Sequence, residues 1–232
     1  MLTDCCHLGT DKTAAPAAVF PSALSSGAGE SPNWRRLDYL AHGNPRQRSA
    51  HALLMSGVWD TLQSQCQDMA LVSTVAIGLD KPGSDLDLVC QHPDPAAFAA
   101  SLRVQGWQGR ERSKEVRVLK QTRRGPDDQE WPLELYVTPS PIETLHGWRH
   151  LSLMATLLEH FGHDFYLAVM RLRHDANLKG EAAICQLLHL PGDPYLALLA
   201  LEGVDLAPLV WQSSSLTHHS RFENTLLMPR IS

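Results

Sequence analysis

Apolar and polar positions first fall into a regular pattern after Asn44, a residue suited to cap a helix, with Pro45 at the first helical position. Ala50, Leu53, Leu54, Gly57, Val58 and Leu62 recur there at intervals of three and four, which predicts one amphipathic helix ending near Cys66. Two short apolar runs follow, Ala70 to Ile77 and Asp85 to Cys90, separated by a segment in which Pro82 and Gly83 force a turn. They predict strand, loop, strand. Asp94 and Pro95 open a second helix through Ala97, Phe98 and Leu102, closed at Gly106. Lys114 to Gln121 alternates imperfectly, and Leu133 to Val137 follows the turn-rich Arg124-Gly125-Pro126-Asp127, so the pair reads as a hairpin with a long loop. From Gly147 the periodicity is helical, in segments near 147–161, 164–178, 181–189 and 194–201.

The expected fold class is therefore α+β: a mixed sheet flanked by helices, followed by a helical segment. The expected divisions are an arm over 1–31, an α/β core over 32–146, the helical segment over 147–206 and a tail over 207–232. The first thirty or so residues are rich in Ala, Ser, Gly, Thr and Pro without periodicity, a composition that buries too little apolar area to offset ordering of the chain. The tail carries polar clusters at Gln212–Ser215 and His218–Arg221 and is expected to be loosely held.

Composition narrows the setting. The chain has 232 residues, 44% of them hydrophobic and 19% charged, enough for a sizeable core without metal or disulfide staples. Its 20 basic and 25 acidic side chains leave a net charge of −5, which argues against a general nucleic-acid coat while leaving room for a local basic patch. The longest apolar run, Tyr195 to Leu201, is far short of the roughly 20 residues of a membrane-spanning helix. No secretory signal is recognised near the amino terminus, where Pro16 and Pro21 break the one weakly apolar stretch. A cytoplasmic location is expected, with no membrane partner. Five cysteines, Cys5, Cys6, Cys66, Cys90 and Cys185, include no C-x-x-C pair, so plain thiols and no disulfide-linked partner are expected, with Cys66 and Cys90 as small core residues.

The chemistry concentrates in Gly83-Ser84-Asp85-Leu86-Asp87-Leu88. On an extended strand Asp85 and Asp87 share one face and Leu86 and Leu88 the other, so one face is charged and the other is core. Two carboxylates this close repel unless a cation or a raised proton affinity relieves them. Magnesium suits such a site, because it prefers hard oxygen ligands and commonly takes one or two carboxylates together with substrate phosphates. A third acid, Glu134, interrupts the apolar run Leu133-Glu134-Leu135-Tyr136, where an unpaired charge is costly to bury. If that strand lies beside Asp85–Cys90, the three carboxylates converge as a cage able to hold two metal ions. The alternative is that all three are ordinary solvated or edge-strand charges.

Thr74, a spacer of ten residues, Asp85-Leu86-Asp87 and then Glu134 on a later strand resemble the nucleotidyltransferase superfamily that includes DNA polymerase beta and the aminoglycoside nucleotidyltransferases. Val75-Ala76-Ile77-Gly78-Leu79-Asp80 leading into Pro82-Gly83-Ser84-Asp85-Leu86-Asp87 is similar to an uncharacterised bacterial branch of it, catalogued as a domain of unknown function. That similarity also takes in Leu37-Asp38-Tyr39-Leu40, Trp148-Arg149-His150-Leu151 and Gly192-Asp193-Pro194-Tyr195. The resemblance implies metal ligands and catalytic carboxylates at Asp85, Asp87 and Glu134, and one or two magnesium ions as cofactor. It further implies a nucleoside triphosphate as substrate and transfer of a nucleoside monophosphate to a hydroxyl acceptor, whether small molecule, RNA or protein. Ser73, Thr74, Lys81 and Ser84 are the expected contacts to the nucleotide. Ser73 and Thr74 stand where the superfamily usually has glycine followed by serine or glycine, bare backbone that approaches phosphate. This departure keeps a second expectation in view, a member that binds nucleotide or a partner without catalysis. For Arg149 and His150, contact with substrate phosphate and a purely structural role are both open. Haloacid-dehalogenase-type phosphatases also use Asp-x-Asp, but they need a hydrophobic strand running directly into the first aspartate, where this chain has Lys81-Pro82-Gly83-Ser84.

Overall fold

A computed structural model of the chain describes residues 33–212; the expected arm lies outside the described residues, as does the expected tail beyond residue 212. Five strands form one mixed sheet: β1 (Asp68–Leu71), β2 (Leu86–Gln91), β3 (Gln108–Ser113), β4 (Val116–Arg124) and β5 (Glu130–Thr138). Their spatial order is β1-β2-β5-β4-β3, antiparallel at every junction except the parallel pair β2 and β5. The expected neighbourhood of the two acid-bearing strands is therefore real, and the α+β architecture is as expected.

Helices α1 (Pro45–Leu53), α2 (Trp59–Gln63) and α3 (Pro95–Val104) accompany the sheet, and α4 (His146–Phe161), α5 (His163–Asp175), α6 (Gly180–Leu187) and α7 (Pro194–Leu199) make up the helical half. The start of α1 is a reciprocal cap: the Gln47 amide donates to the Asn44 side chain at 2.8 Å, and the Asn44 amide donates to the Gln47 side chain at 2.9 Å. Asp94 caps α3 in the same sense, accepting from the amides of Ala96 and Ala97.

Three expectations need correction. The helix expected to run unbroken toward Cys66 is interrupted at Ser56 and Gly57, where Gly57 takes φ +102°, a conformation cheap only for glycine; the periodicity survives because α2 resumes on the same apolar face. The run Ala70–Ile77 is not one strand. β1 stops at Leu71, and Thr74–Ile77 forms a 3₁₀ turn capped by the Ser73 hydroxyl, which accepts from the Val75 amide, and ended by Gly78 in the left-handed region. Val75, Ala76 and Ile77 are fully buried, so burial was legible there but backbone geometry was not. Finally, Cys66 and Cys90 are not free thiols: they form a disulfide with Cα atoms 5.9 Å apart, closing the entry to β1 onto the end of β2. Cys185 is free and buried.

Strand β3 has no counterpart in the apolar pattern, because all six of its residues are exposed. It forms the sheet edge and pairs with β4 through a register irregularity between Glu111 and Ser113.

Alternation divides the sheet into two chemically different faces. Leu86, Leu88 and Cys90 of β2 and Trp131, Leu133, Leu135 and Val137 of β5 are buried in the core with Phe98, Ala99 and Leu102 of α3. The opposite face carries Asp87, Glu134, Tyr136 and Lys120. Buried tryptophans keep their polar ends satisfied: Trp34 donates to Ser152 Oγ at 3.2 Å and Trp131 to Ser49 Oγ at 3.0 Å. The helical half is tied to the sheet by Tyr166, whose hydroxyl donates to the Gly78 carbonyl at 3.0 Å. Trp211 packs edge-on to Phe165, so the first residues of the expected tail are held against α5. Among the described residues no helix is long and apolar enough to cross a membrane.

Candidate active site

Because β2 and β5 run parallel in register, Asp87 lies directly beside Glu134, and the antiparallel β4–β5 ladder sets Lys120 on the other side of Glu134. Side chains at paired positions share a face, so these three form a row across the sheet. Lys120 Nζ lies 2.5 Å from Glu134 Oε2. Asp85 stands one residue ahead of β2, and its backbone carbonyl accepts from the Ser73 hydroxyl at 2.6 Å.

Above the row opens a cavity of about 640 Å³, walled by the sheet face on one side and by the start of α4 with parts of α6 and α7 on the other. Asp87, Glu134, Thr74 and Tyr136 line the first wall; His146, His150, Glu181 and Tyr195 line the second. Asp85, Lys120 and Glu134 border an adjoining hollow of about 430 Å³, so Glu134 is the wall that the two spaces share.

The electrostatics follow from this crowding. Burial pushes the Asp87 carboxyl up to about 7, and the negative charges of Asp85, Glu134 and Glu181 push in the same direction, against the single opposing pull of Lys120. Lys120 is itself raised, chiefly by its hydrogen bond to Glu134. Across the cavity Lys179 is raised by its bond to Tyr195, with its ammonium 5.8 Å from the ring centroid.

The expected ligand residues can now be placed. Asp87 and Glu134 are side by side on the cavity wall, and Asp85 is close enough to act on Asp87 electrostatically. Among the described residues, no three histidine, cysteine or acidic side chains stand at the spacing of a preassembled metal set. The donor chemistry nevertheless fits magnesium, which commonly binds through one or two carboxylates and completes its shell with water and substrate phosphate. Lys120 supplies Glu134 with a counter-charge.

Of the expected nucleotide contacts, Thr74 lines the cavity. The Ser73 hydroxyl is buried and spent on backbone, between the Asp85 carbonyl and the Val75 amide. Ser84 accepts from the Lys81 amide at 3.0 Å and so closes its own turn, and the Lys81 ammonium pairs with the Asn177 side chain at the end of α5. Arg149 forms an ion pair with Glu202, and His150 Nε2 lies 3.1 Å from the Tyr195 carbonyl, so the two link helices to one another.

Sequence reasoning did not single out Lys120, Glu181, Lys179 or Tyr195 as site residues. Lys120 was not legible, because β4 also carries Arg117 and Arg123 on the other face and only the register with β5 sets Lys120 beside Glu134. Glu181 and Lys179 reach the site only through the packing of α6, for which no local pattern exists. Tyr195 follows Asp193, which caps α7 by accepting from the amides of Tyr195 and Leu196, so the Asp-Pro-Tyr run positions a cavity residue through a helix start.

Comparison with known proteins adds a family and little more. The family model described as a domain of unknown function, DUF4269, matches residues 51–201. No curated protein matches the chain. A solved structure titled "Structure and function of the polymerase core of TRAMP, a RNA surveillance complex" aligns over 82% of this chain and 69% of that one, at 16% identity and a TM-score of 0.37, an agreement too low to carry an argument.

Proposed function

The chain belongs to the DUF4269 family, a domain of unknown function, and from that premise we propose that it is a metal-dependent nucleotidyltransferase. The observation that carries this reading is the pairing of Asp87 with Glu134 on neighbouring parallel strands, with Asp85 two residues away, on the wall of a cavity of nucleotide-binding size. Structural carboxylates are seldom crowded this way, because the repulsion is unrewarded without a cation.

Asp85, Asp87 and Glu134 are the groups that would hold magnesium, which when bound supplies Lewis-acid polarisation of the phosphate oxygens. In the transfer, the acceptor hydroxyl oxygen forms a bond to the α-phosphorus, the bond from that phosphorus to the bridging oxygen breaks, and pyrophosphate leaves with the electron pair. The hydroxyl proton passes to a carboxylate of the same set. Tyr195 and His146 on the opposite wall offer flat surfaces for a base, and the walls together restrict water and orient the reactants.

A second reading is favoured by a specific observation: the Ser73 side chain occupies a position usually left bare, and Lys120 already neutralises Glu134. On that reading the chain binds nucleotide without transferring it.

Thermal unfolding with each nucleoside triphosphate, with and without magnesium, tests the proposal. A nucleotide at 100 times its Kd raises stability by about 2.7 kcal/mol. Asp87→Asn should remove the magnesium-dependent part of that shift and abolish release of pyrophosphate. A nucleotide shift without pyrophosphate release under any acceptor supports the binding-only reading, and a folded chain that responds to no nucleotide overturns both.

A further inference from the structure

Charge is unevenly distributed along this acidic chain. Residues 103–124 hold eight basic and two acidic side chains, whereas the other 210 positions hold twelve basic and twenty-three acidic ones. That basic segment is the end of α3 and the β3–β4 hairpin, the exposed edge of the sheet.

Register decides where these charges point relative to the site. Asp87, Glu134, Lys120 and Gln108 are successive partners across β2, β5, β4 and β3, and in the next row Tyr136 pairs with Val118 and Val118 with Arg110. Arg110 and Lys120 thus share the carboxylate face. Arg112 falls at the register irregularity and lines both the carboxylate cavity and a neighbouring groove of about 380 Å³, whose walls include Arg110, Lys120 and Glu134. The groove and the cavity are consecutive parts of one trough. Arg110 and Arg112 are exposed and have no ion pair among the described residues.

Protection of an edge strand explains why β3 is charged, but β4 lies inside the sheet and carries four basic side chains and no acidic one, which edge protection does not explain. A polyanion does. A basic strip on an otherwise acidic surface attracts a polyanion along one path and repels it elsewhere. The strip also continues past the space a triphosphate would fill, since Arg112 borders both the cavity and the groove whereas Arg110 borders the groove and not the cavity. A cavity of about 640 Å³ accepts the end of one strand and not a duplex.

We propose that the acceptor is a single-stranded nucleic acid whose backbone lies over Arg110, Arg112 and Lys120 and whose terminal hydroxyl enters the cavity at Asp87. The word acceptor rests on the transferase reading above; strand binding does not. Tyr136, half-buried on the same face between β4 and β2, gives the trough an aromatic surface against which a base can stack.

The test is fluorescence anisotropy of the full chain with a 5′-labelled 15-nucleotide RNA of mixed sequence, its DNA equivalent and the annealed RNA duplex, without nucleotide or magnesium, across 50–200 mM salt. Single strands should bind with affinity falling steeply in salt, at roughly 0.7 logarithmic units per phosphate neutralised. The double variant Arg110→Glu, Arg112→Glu should weaken binding at least about tenfold and flatten the salt slope by roughly 1.4, and the milder Arg110→Gln, Arg112→Gln pair should move both in the same direction. Arg36→Glu, a 73%-exposed arginine outside the strip, should leave both unchanged. RNA bound more tightly than DNA identifies the strand as RNA, and the reverse identifies DNA. The proposal is overturned if no strand binds at 50 mM salt, if the duplex binds as well as the single strand, or if the arginine variants lose the nucleotide-induced thermal shift while strand binding persists. Strand binding without nucleotide response would instead sink the transferase reading and leave this one standing.

Discussion

Asp87 and Glu134 are register partners across the only parallel junction among the described strands, and Glu134 is in turn the register partner of Lys120. A parallel pair puts equivalent faces side by side, so two acids that are 47 positions apart in sequence become neighbours on one wall. One lysine then serves a cluster of three carboxylates, and Asp87, raised by burial and by the charges of its neighbours, bears the deficit.

That deficit makes stability depend on pH. The Asp87 carboxyl sits at about 7 in the folded chain, above its ordinary value near 4. Between those values the folded state holds a proton that the unfolded state has released, so stability falls as pH rises from about 4 to about 7 and levels off above. In buffer free of divalent cations, Asp87→Asn should remove this component and melt higher than wild type at pH 8. Lys120→Met should move the fall to higher pH, since Lys120 is what holds Asp87 down. Melting temperatures across pH 4–9 check both; equal pH profiles for wild type and Asp87→Asn would refute the assignment.

A second buried charge, Asp80, is held by an arginine of the first helix. Asp80 is 2% exposed and pairs with Arg46 Nε at 2.7 Å, while Arg46 stacks over Trp131 at 4.2 Å from the ring centroid. Arg46→Met should cost about 3 kcal/mol, because it strands a buried carboxylate. Asp80→Asn, Arg46→Met together should cost less than the sum of the single changes, since the charge left unpaired is gone. Urea unfolding of the three variants measures the difference.

The Cys66–Cys90 disulfide spans 24 positions. In the chain-entropy account, closing such a loop destabilises the unfolded state by about 3 kcal/mol. Cys66→Ser, or reduction of the wild type, should lower the melting temperature by several degrees, and the two effects should not add. A reductant that further destabilises Cys66→Ser would place the sensitive bond elsewhere.

What the chain announced on its own was local. Helix starts at Asn44 and Asp94 were legible because a cap is a contact within three residues, and the helical half was legible because its periodicity is long. The Asp85-Leu86-Asp87 alternation likewise revealed a charged and an apolar face. Elements that depended on remote partners were hidden. Strand β3 exists only because β4 supplies its hydrogen bonds, so no apolar pattern marks it. The turn at Thr74–Ile77 is as apolar as a strand, and its geometry is imposed by Ser73 bonding to Asp85, twelve positions away.

The site shows the same division. Composition and spacing singled out three acids, but which of them touch, and what opposes them, follows from strand order. Placing β5 between β2 and β4 sets Glu134 between Asp87 and Lys120, and placing β3 outermost carries the arginines onto the same face. Sheet pairing joins residues far apart in the chain, and its register is decided by the burial of whole strands, a quantity that no short window of sequence contains.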